Sequence, residues 1–352
     1  MQIPAIAIAG LLVALLVSLP CGAEEVRVYA NTLTRIENPK PILADHPEYV
    51  SPIVEEAHYE APAIVQDENA DLNVRAWRFS YNARGIIEMP NHLCGAQTAI
   101  VVVHPWGIDD SNGWKTPQPA GVADFCTPIK NHLAHGHVEK ILNPFLLAMR
   151  DKVGMVLYSQ PGKEDPIRKM LYRSVHGRPT EAEHAQGKIE LHAKLNSFDY
   201  TGEPIVPELK LNANTPVIDY FKQFPGLDSG PRYNREGFWQ LPIPIIDAIK
   251  YHPDDVMIYD AEGYEVMRDF LKLNGIRHIL LTGYCTDMCY KSTTAGYENL
   301  SKDFNVFLVG DATLATFPAN TTPAFATNAS LSFAALNQLV TQISWIEPAG
   351  KE

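Results

Sequence analysis

The chain has 352 residues, 46% of them hydrophobic and 20% charged, a globular composition that excludes a disordered or fibrous chain. Its 29 basic and 41 acidic residues leave a formal charge of −12, whose field repels phosphate backbones and anionic lipid and argues against nucleic acid as a partner. Twenty-seven prolines beside 22 glycines exclude an all-helical bundle, because each proline fixes φ and removes a backbone donor.

Residues 1–23 carry no charged side chain, and their apolar run ends in Cys21-Gly22-Ala23, small residues of the kind a signal peptidase reads. The shape predicts a signal peptide cleaved near Ala23, a secreted or periplasmic protein, and no stable membrane insertion after cleavage. A transmembrane anchor is the competing reading of the same segment.

Residues 24–95 read as a β-rich N-terminal extension. Leu72–Tyr81 is rich in β-formers, Asn82-Ala83-Arg84-Gly85 reads as a turn, and Ile86–Pro90 returns as a second strand. From residue 96 to 352 strands alternate with amphipathic helices, the pattern of a parallel sheet with crossover helices. Strands are expected at Ala99–Val103, Val153–Tyr158, Asp255–Tyr259, His278–Thr282, Asn305–Val309 and Gln342–Ile346. Helices are expected at Val138–Lys152, where Ile141, Leu142, Phe145, Leu146 and Met149 form the apolar stripe, at Tyr264–Leu273, and at residues 324–339. The fold class is therefore α/β, a three-layer α/β/α unit with a mostly parallel six-stranded sheet. An insertion at about 160–254 interrupts it, too long for an ordinary connection and holding the aromatic-rich run Tyr233–Trp239. Its place at the carboxyl edge of the sheet suggests a wall over the ligand crevice.

The stretch His278–Ala295 carries the strongest chemical signal. An apolar strand runs into Gly283, and Thr286 is expected to cap a helix whose first turn presents Cys289. A thiol at the positive end of a helix dipole is shifted toward thiolate, and the N–H groups of the same turn can receive an oxyanion. Such a strand, turn and helix resemble the motif of the isochorismatase-like cysteine hydrolases, which include nicotinamidases and N-carbamoylsarcosine amidases. Gly283, Thr286, Asp287, Cys289, Thr293 and Ala295 match it position by position, and Val306–Thr313 (VFLVGDAT) resembles the next strand. The resemblance spans roughly residues 96–346. It implies a Rossmann-like α/β/α fold, a cysteine nucleophile at Cys289, and an oxyanion hole from the backbones of Cys285 and Cys289.

The family assists its cysteine with an aspartate after the first strand and a lysine after the third, and this sequence departs at both. His104 stands where the aspartate is expected and Asp260 where the lysine is expected. A thiol, an imidazole and an orienting carboxylate still form a workable nucleophile, base and orienter. The function expected is an exported cysteine hydrolase acting on an amide or related small acyl substrate. A catalytically silent protein of the same fold that binds a small molecule or a protein is the alternative. Trp106, Asp109 and Tyr284 are candidate substrate contacts.

Neither metal nor cofactor is expected. Nicotinamidases of the family carry an Asp-x-His pair after the second strand, where this chain reads Ser159-Gln160-Pro161-Gly162. His176, His184 and His192 recur every eight residues and do not share one helix face, so they read as solvent-facing, as do His132, His135 and His137. Cys94 and Cys126 are either a disulfide, worth on the order of 3–4 kcal/mol in chain-entropy terms, or two buried thiols. Cys285 reads as a small apolar filler, with a disulfide to Cys289 as the alternative. The expected partner is a small-molecule substrate, and the fold allows a homo-oligomer.

Overall fold

The computed structural model describes residues 27–105, 128–197, 207–208, 210–216, 219, 241–316 and 323–350. The predicted signal peptide, Cys126 and the Tyr233–Trp239 run lie outside the described residues.

Eleven strands of the described residues form one sheet. The first four are β1 (Thr34–Arg35), β2 (His58–Glu60), β3 (Leu72–Ser80) and β4 (Gly85–Leu93), with β3 and β4 paired as the predicted hairpin over its full nine-residue length. There follow β5 (Thr98–Val103), β6 (Met155–Gln160), β7 (Val256–Tyr259), β8 (His278–Tyr284), β9 (Asn305–Leu314), β10 (Leu339–Thr341) and β11 (Ile346–Pro348). The order β10-β9-β8-β5-β6-β7 is parallel at every pair, which gives the expected six-stranded parallel core.

The helices are α1 (Pro128–His137), running through a π-helical segment at Val138–Leu142 into α2 (Asn143–Met149), then α3 (Pro166–Leu171), α4 (Glu181–Asn196), α5 (Tyr264–Leu273), α6 (Cys289–Ser292), α7 (Tyr297–Leu300) and α8 (Pro323–Ala335). Alternate residues of the central strands face two different layers. Ile100, Val102, Val156, Tyr158, Leu280 and Phe307 pack with Val138, Ile141, Phe145 and Leu146 on one side. On the other side Val101, Val103, Leu157, Ile258, Leu281 and Leu308 pack with Met267, Leu271, Leu331 and Ala334. Strands buried on both faces read as the continuous apolar runs seen in the sequence.

Three expectations shift. The sixth parallel strand is Leu339–Thr341, because α8 ends at Ala335; residues 343–345 form a 3₁₀ turn, and β11 pairs antiparallel with β3. The N-terminal strands continue the same sheet, β3 lying antiparallel on β10, so the β-rich extension shares the parallel core's hydrogen bonding. Asn31–Glu352 accordingly form one compact unit.

The described part of the long insertion contains α3, α4 and an apolar tail. Leu241, Ile243, Ile245, Ile246 and Ile249 are buried, and the Ile246 N–H donates to the Pro105 carbonyl at 2.9 Å. The tail therefore docks on the backbone directly after His104.

Candidate active site

Strand β5 ends at Val103, and the next residue, His104, has φ +43°, a left-handed conformation that is strained for a non-glycine residue. Its N–H still donates to the Ser159 carbonyl at 3.0 Å, so the ladder to β6 anchors it. On the other flank Gly283 of β8 pairs with Val103 at φ +98°, and a Cβ there would lie 2.3 Å from the Val103 carbonyl oxygen. Glycine allows β8 to approach β5 this closely. The Cys289 turn follows β8, and the imidazole follows β5.

Asp260 follows β7, with β6 intervening between it and His104 in the sheet. The His104 Nε2 nevertheless lies 3.0 Å from Asp260 Oδ2. Distance and sign make this an ion pair, while the alignment falls short of a full hydrogen bond and the other carboxylate oxygen, Oδ1, is buried without a partner. The Asp260 backbone is held separately, its carbonyl accepting from the Thr294 hydroxyl at 3.1 Å. Burial would lower the His104 pKa, yet the charge of the Cys289 sulfur, hydrogen-bonded to the ring, and then Asp260 outweigh it and push the imidazole up to about 10. The arrangement thus favours an imidazolium between the Cys289 sulfur and the Asp260 carboxylate, as a rearrangement of the three residues singled out in the sequence.

Cys289 opens α6 as expected, but that helix is only four residues long, and its N-cap is Met288, not Thr286. The Thr286 hydroxyl is buried without a partner, and its N–H donates to the Leu314 carbonyl on β9. The turn is organised instead by the Cys285 carbonyl, which accepts from the N–H groups of Met288 at 2.9 Å and Tyr290 at 3.1 Å. Asp287 accepts from the Thr316 N–H at 2.7 Å, and the Thr293 hydroxyl donates to the Cys289 carbonyl at 2.9 Å. With so short a helix the dipole is weak, and the charged neighbours of Cys289 take its place as the local electrostatic influence. Cys289 is a free thiol, as is Cys94. The Tyr284–Cys285 peptide is cis.

Of the candidate substrate contacts, Trp106 and Asp109 lie outside the described residues. Tyr284 is 3% exposed, with its hydroxyl 2.7 Å from His137 Nδ1, so it braces the strand end instead of opening onto a ligand. His137 itself corrects the solvent-facing reading, since it is fully buried. The signal was present in the stripe: residues 137, 141 and 145 share a face when the helical period is carried back one turn. His132, His176 and His192 are exposed, and His176 contacts Glu262 at 3.0 Å.

Gln160 is the site residue that the sequence reading missed. Strand β6 runs two residues past its predicted end, which sets Gln160 one step beyond the Val103–Ser159 pair and beside Tyr259, between the strands that carry His104 and Asp260. It is 1% exposed, and both amide atoms lack a partner, as does the Ser159 hydroxyl. Polar groups so buried are normally satisfied, which makes Gln160 a candidate ligand contact. The same position presents an amide and a hydroxyl where the nicotinamidase pattern has two ligands, and among the described residues no three His, Cys, Asp or Glu side chains form a metal site.

The isochorismatase domain family model matches residues 245–339, the stretch from the docked tail of the insertion through Asp260 and Cys289 to β10. That stretch is isochorismatase-like. No curated protein matches it. Among solved structures, it is similar to a cysteine hydrolase from Pseudomonas syringae pv. phaseolicola at 14% identity, over 72% of this chain and 91% of that one, with a TM-score of 0.39. It is also similar to the pyrazinamidase of Pyrococcus horikoshii in complex with zinc, at 13% identity over 70% and 99% with a TM-score of 0.34. For the nicotinamidase of Staphylococcus aureus the figures are 8% identity, 70% and 99% coverage and a TM-score of 0.32. Against the family pattern that the sequence resembles, the chain differs at His104 and Asp260, the two charged groups beside Cys289.

Proposed function

We propose that this isochorismatase-like chain is an exported cysteine hydrolase that cleaves an amide or related small acyl bond through Cys289. The observation that carries the reading is the buried His104, held between the Cys289 sulfur and Asp260 with its pKa pushed up to about 10. In that state Cys289 needs no separate base for the first step. Its thiolate adds to the acyl carbon, the carbonyl oxygen takes up the negative charge against the N–H groups of Cys285 and Cys289, and the His104 imidazolium gives its proton to the departing amine. His104 is then neutral, and it removes a proton from the water that hydrolyses the thioester. The cysteine leaves as thiolate and the imidazolium is restored. Asp260 keeps the ring oriented and favours its charged form through both halves. Gln160, with a donor and an acceptor both unpartnered, suits a substrate that carries its own amide-like edge. The uncharged run and small-residue terminus of residues 1–23 support export.

Iodoacetamide labelling with peptide mapping tests the reading. Cys289 is expected to react selectively at neutral pH, ahead of Cys94 and Cys126, and His104→Ala to remove that preference with the fold intact. Slow labelling of Cys289, no faster than the other two thiols, overturns the hydrolase and leaves the silent binding protein.

A further inference from the structure

The imidazole of His137, at the end of α1, is fully buried, and each of its nitrogens meets a polar group. Nε2 lies 2.8 Å from the carbonyl oxygen of Asp311 on β9, and Nδ1 lies 2.7 Å from the hydroxyl of Tyr284, the last residue of β8. A carbonyl only accepts, so the proton sits on Nε2, and Nδ1 in the neutral ring accepts from the Tyr284 hydroxyl. The Tyr49 ring meets the same imidazole edge-on at 4.9 Å, and the Tyr284 ring does so at 5.6 Å. The imidazole therefore has one tautomer and one orientation, and the phenol it holds belongs to the residue directly before Cys285.

We propose that His137 is a positioning residue for the oxyanion turn, fixing the Tyr284 ring and hydroxyl so that the Cys285 N–H keeps its direction toward the acyl oxygen. The assignment rests on the hydrolase reading above. An oxyanion donor works only when it lies within hydrogen-bond distance of where the charge develops, and small displacements cost large factors in rate. The Cys285 carbonyl is fixed from the helix side by Met288 and Tyr290, and the Thr286 N–H is fixed by Leu314. On the strand side Tyr284 pairs with Leu314 in the ladder to β9, and its hydroxyl meets His137, which contacts the Asp311 carbonyl of the same strand. The pair sits in a layer whose other members include Val138, Ile141, Leu280 and Phe307, where apolar side chains would fill the space without a directional bond.

The role separates from thiol activation by choice of probe. With p-nitrophenyl acetate, a bond forms between the Cys289 sulfur and the acetyl carbon, and p-nitrophenolate leaves with the electron pair of the broken C–O bond; the intermediate carries an oxyanion. Iodoacetamide alkylation, in which sulfur displaces iodide at an sp³ carbon, forms none. Tyr284→Phe keeps the ring and removes only the hydroxyl, so it is the principal variant, with His137→Gln beside it and thermal unfolding as the control. Both are expected to slow the p-nitrophenolate burst roughly 10- to 100-fold while leaving Cys289 alkylation within about twofold, and the double variant to be no slower than the worse single one. A wild-type burst rate in Tyr284→Phe overturns the assignment, as does an equal fall in acylation and alkylation. A wild-type protein that is alkylated at Cys289 but shows no burst sinks the hydrolase reading and this assignment together. Wild-type acylation matched by both variants sinks the assignment alone.

Discussion

Asp260 and His104 meet at 3.0 Å although the strands that carry them are not neighbours, β6 lying between. The contact is made above the carboxyl edge of the sheet, where chain ends from different strands converge. A carboxylate after the third strand thus stands where the family resemblance calls for a lysine, and an imidazole takes the place of the carboxylate after the first. Exchanging both together keeps one cation and one anion beside the thiol, which is why the double departure leaves a coherent charge set.

The His104 titration tests that charge set directly. With its pKa at about 10 against an ordinary 6.5, the folded protein binds the proton more tightly than the unfolded chain. The stability this contributes is full below pH 6.5 and is lost as the pH rises through 10. An NMR titration of the His104 ring in Cys289→Ser and Asp260→Asn should show lower midpoints in both, by roughly a unit or more. The larger fall is expected in Cys289→Ser, since the sulfur's charge outweighs the carboxylate's. Midpoints unchanged by both substitutions would falsify the ion-pair description.

Gly283→Ala tests the approach of β8 to β5. The added Cβ would stand 2.3 Å from the Val103 carbonyl oxygen, on a backbone at φ +98°. Backbone cannot yield as a flexible side chain does, so the expected loss is about 2–4 kcal/mol, combining conformational strain with displacement of the strand. Chemical denaturation should show it, together with weaker alkylation of Cys289 as the thiol moves from His104. A stability within about 0.5 kcal/mol of wild type would contradict the close packing.

The parallel core was legible because strands buried on both faces leave unbroken apolar runs, and Ala99–Val103 and His278–Thr282 are such runs. Cys289 was legible because strand, glycine turn and thiol occur in order, and Asp260 because it directly follows the apolar strand. What escaped was set by contacts distant in sequence. Gln160 reads as the start of a loop until β7 extends the ladder beside it, and His137 reads as solvent-facing until Tyr284 and Asp311 arrive from β8 and β9. The cap was misread for a local reason: Thr286 has the right side chain, but its N–H is drawn to Leu314, and the helix begins three residues later.

Gln160→Leu separates binding from stability at one position. A buried amide with neither atom satisfied destabilises the fold by about 1–3 kcal/mol, and leucine fills similar space without that penalty. The variant is expected to match or exceed the wild-type melting temperature. Burst amplitude at low p-nitrophenyl acetate should be unchanged, because that probe lacks an amide, while amide substrates found by screening should lose affinity. A destabilised Gln160→Leu would mean that the amide is satisfied within the protein, and the ligand role would fall.

Asp311 gives the last test, and its sign is opposite to that of an ordinary surface carboxylate. The group is 1% exposed, and burial pushes its pKa from 3.8 up to about 7 against the opposing pull of the Ile343 N–H, which donates to the carboxylate at 3.0 Å. The folded state therefore holds this proton more tightly than the unfolded chain, so the stability it contributes is full below pH 3.8 and is lost as the pH rises through 7. Asparagine offers the same carbonyl oxygen to Ile343 with no charge to desolvate. Asp311→Asn should then be more stable than wild type by about 1–2 kcal/mol at pH 5, where only the unfolded carboxyl is ionised, and by about 2–3 kcal/mol more at pH 8. His104 titrates in an overlapping window, but it does so in both proteins and cancels in the difference. Urea unfolding at the two pH values measures it, and a gap that does not widen between pH 5 and pH 8 would show that Asp311 is ionised in the fold without penalty.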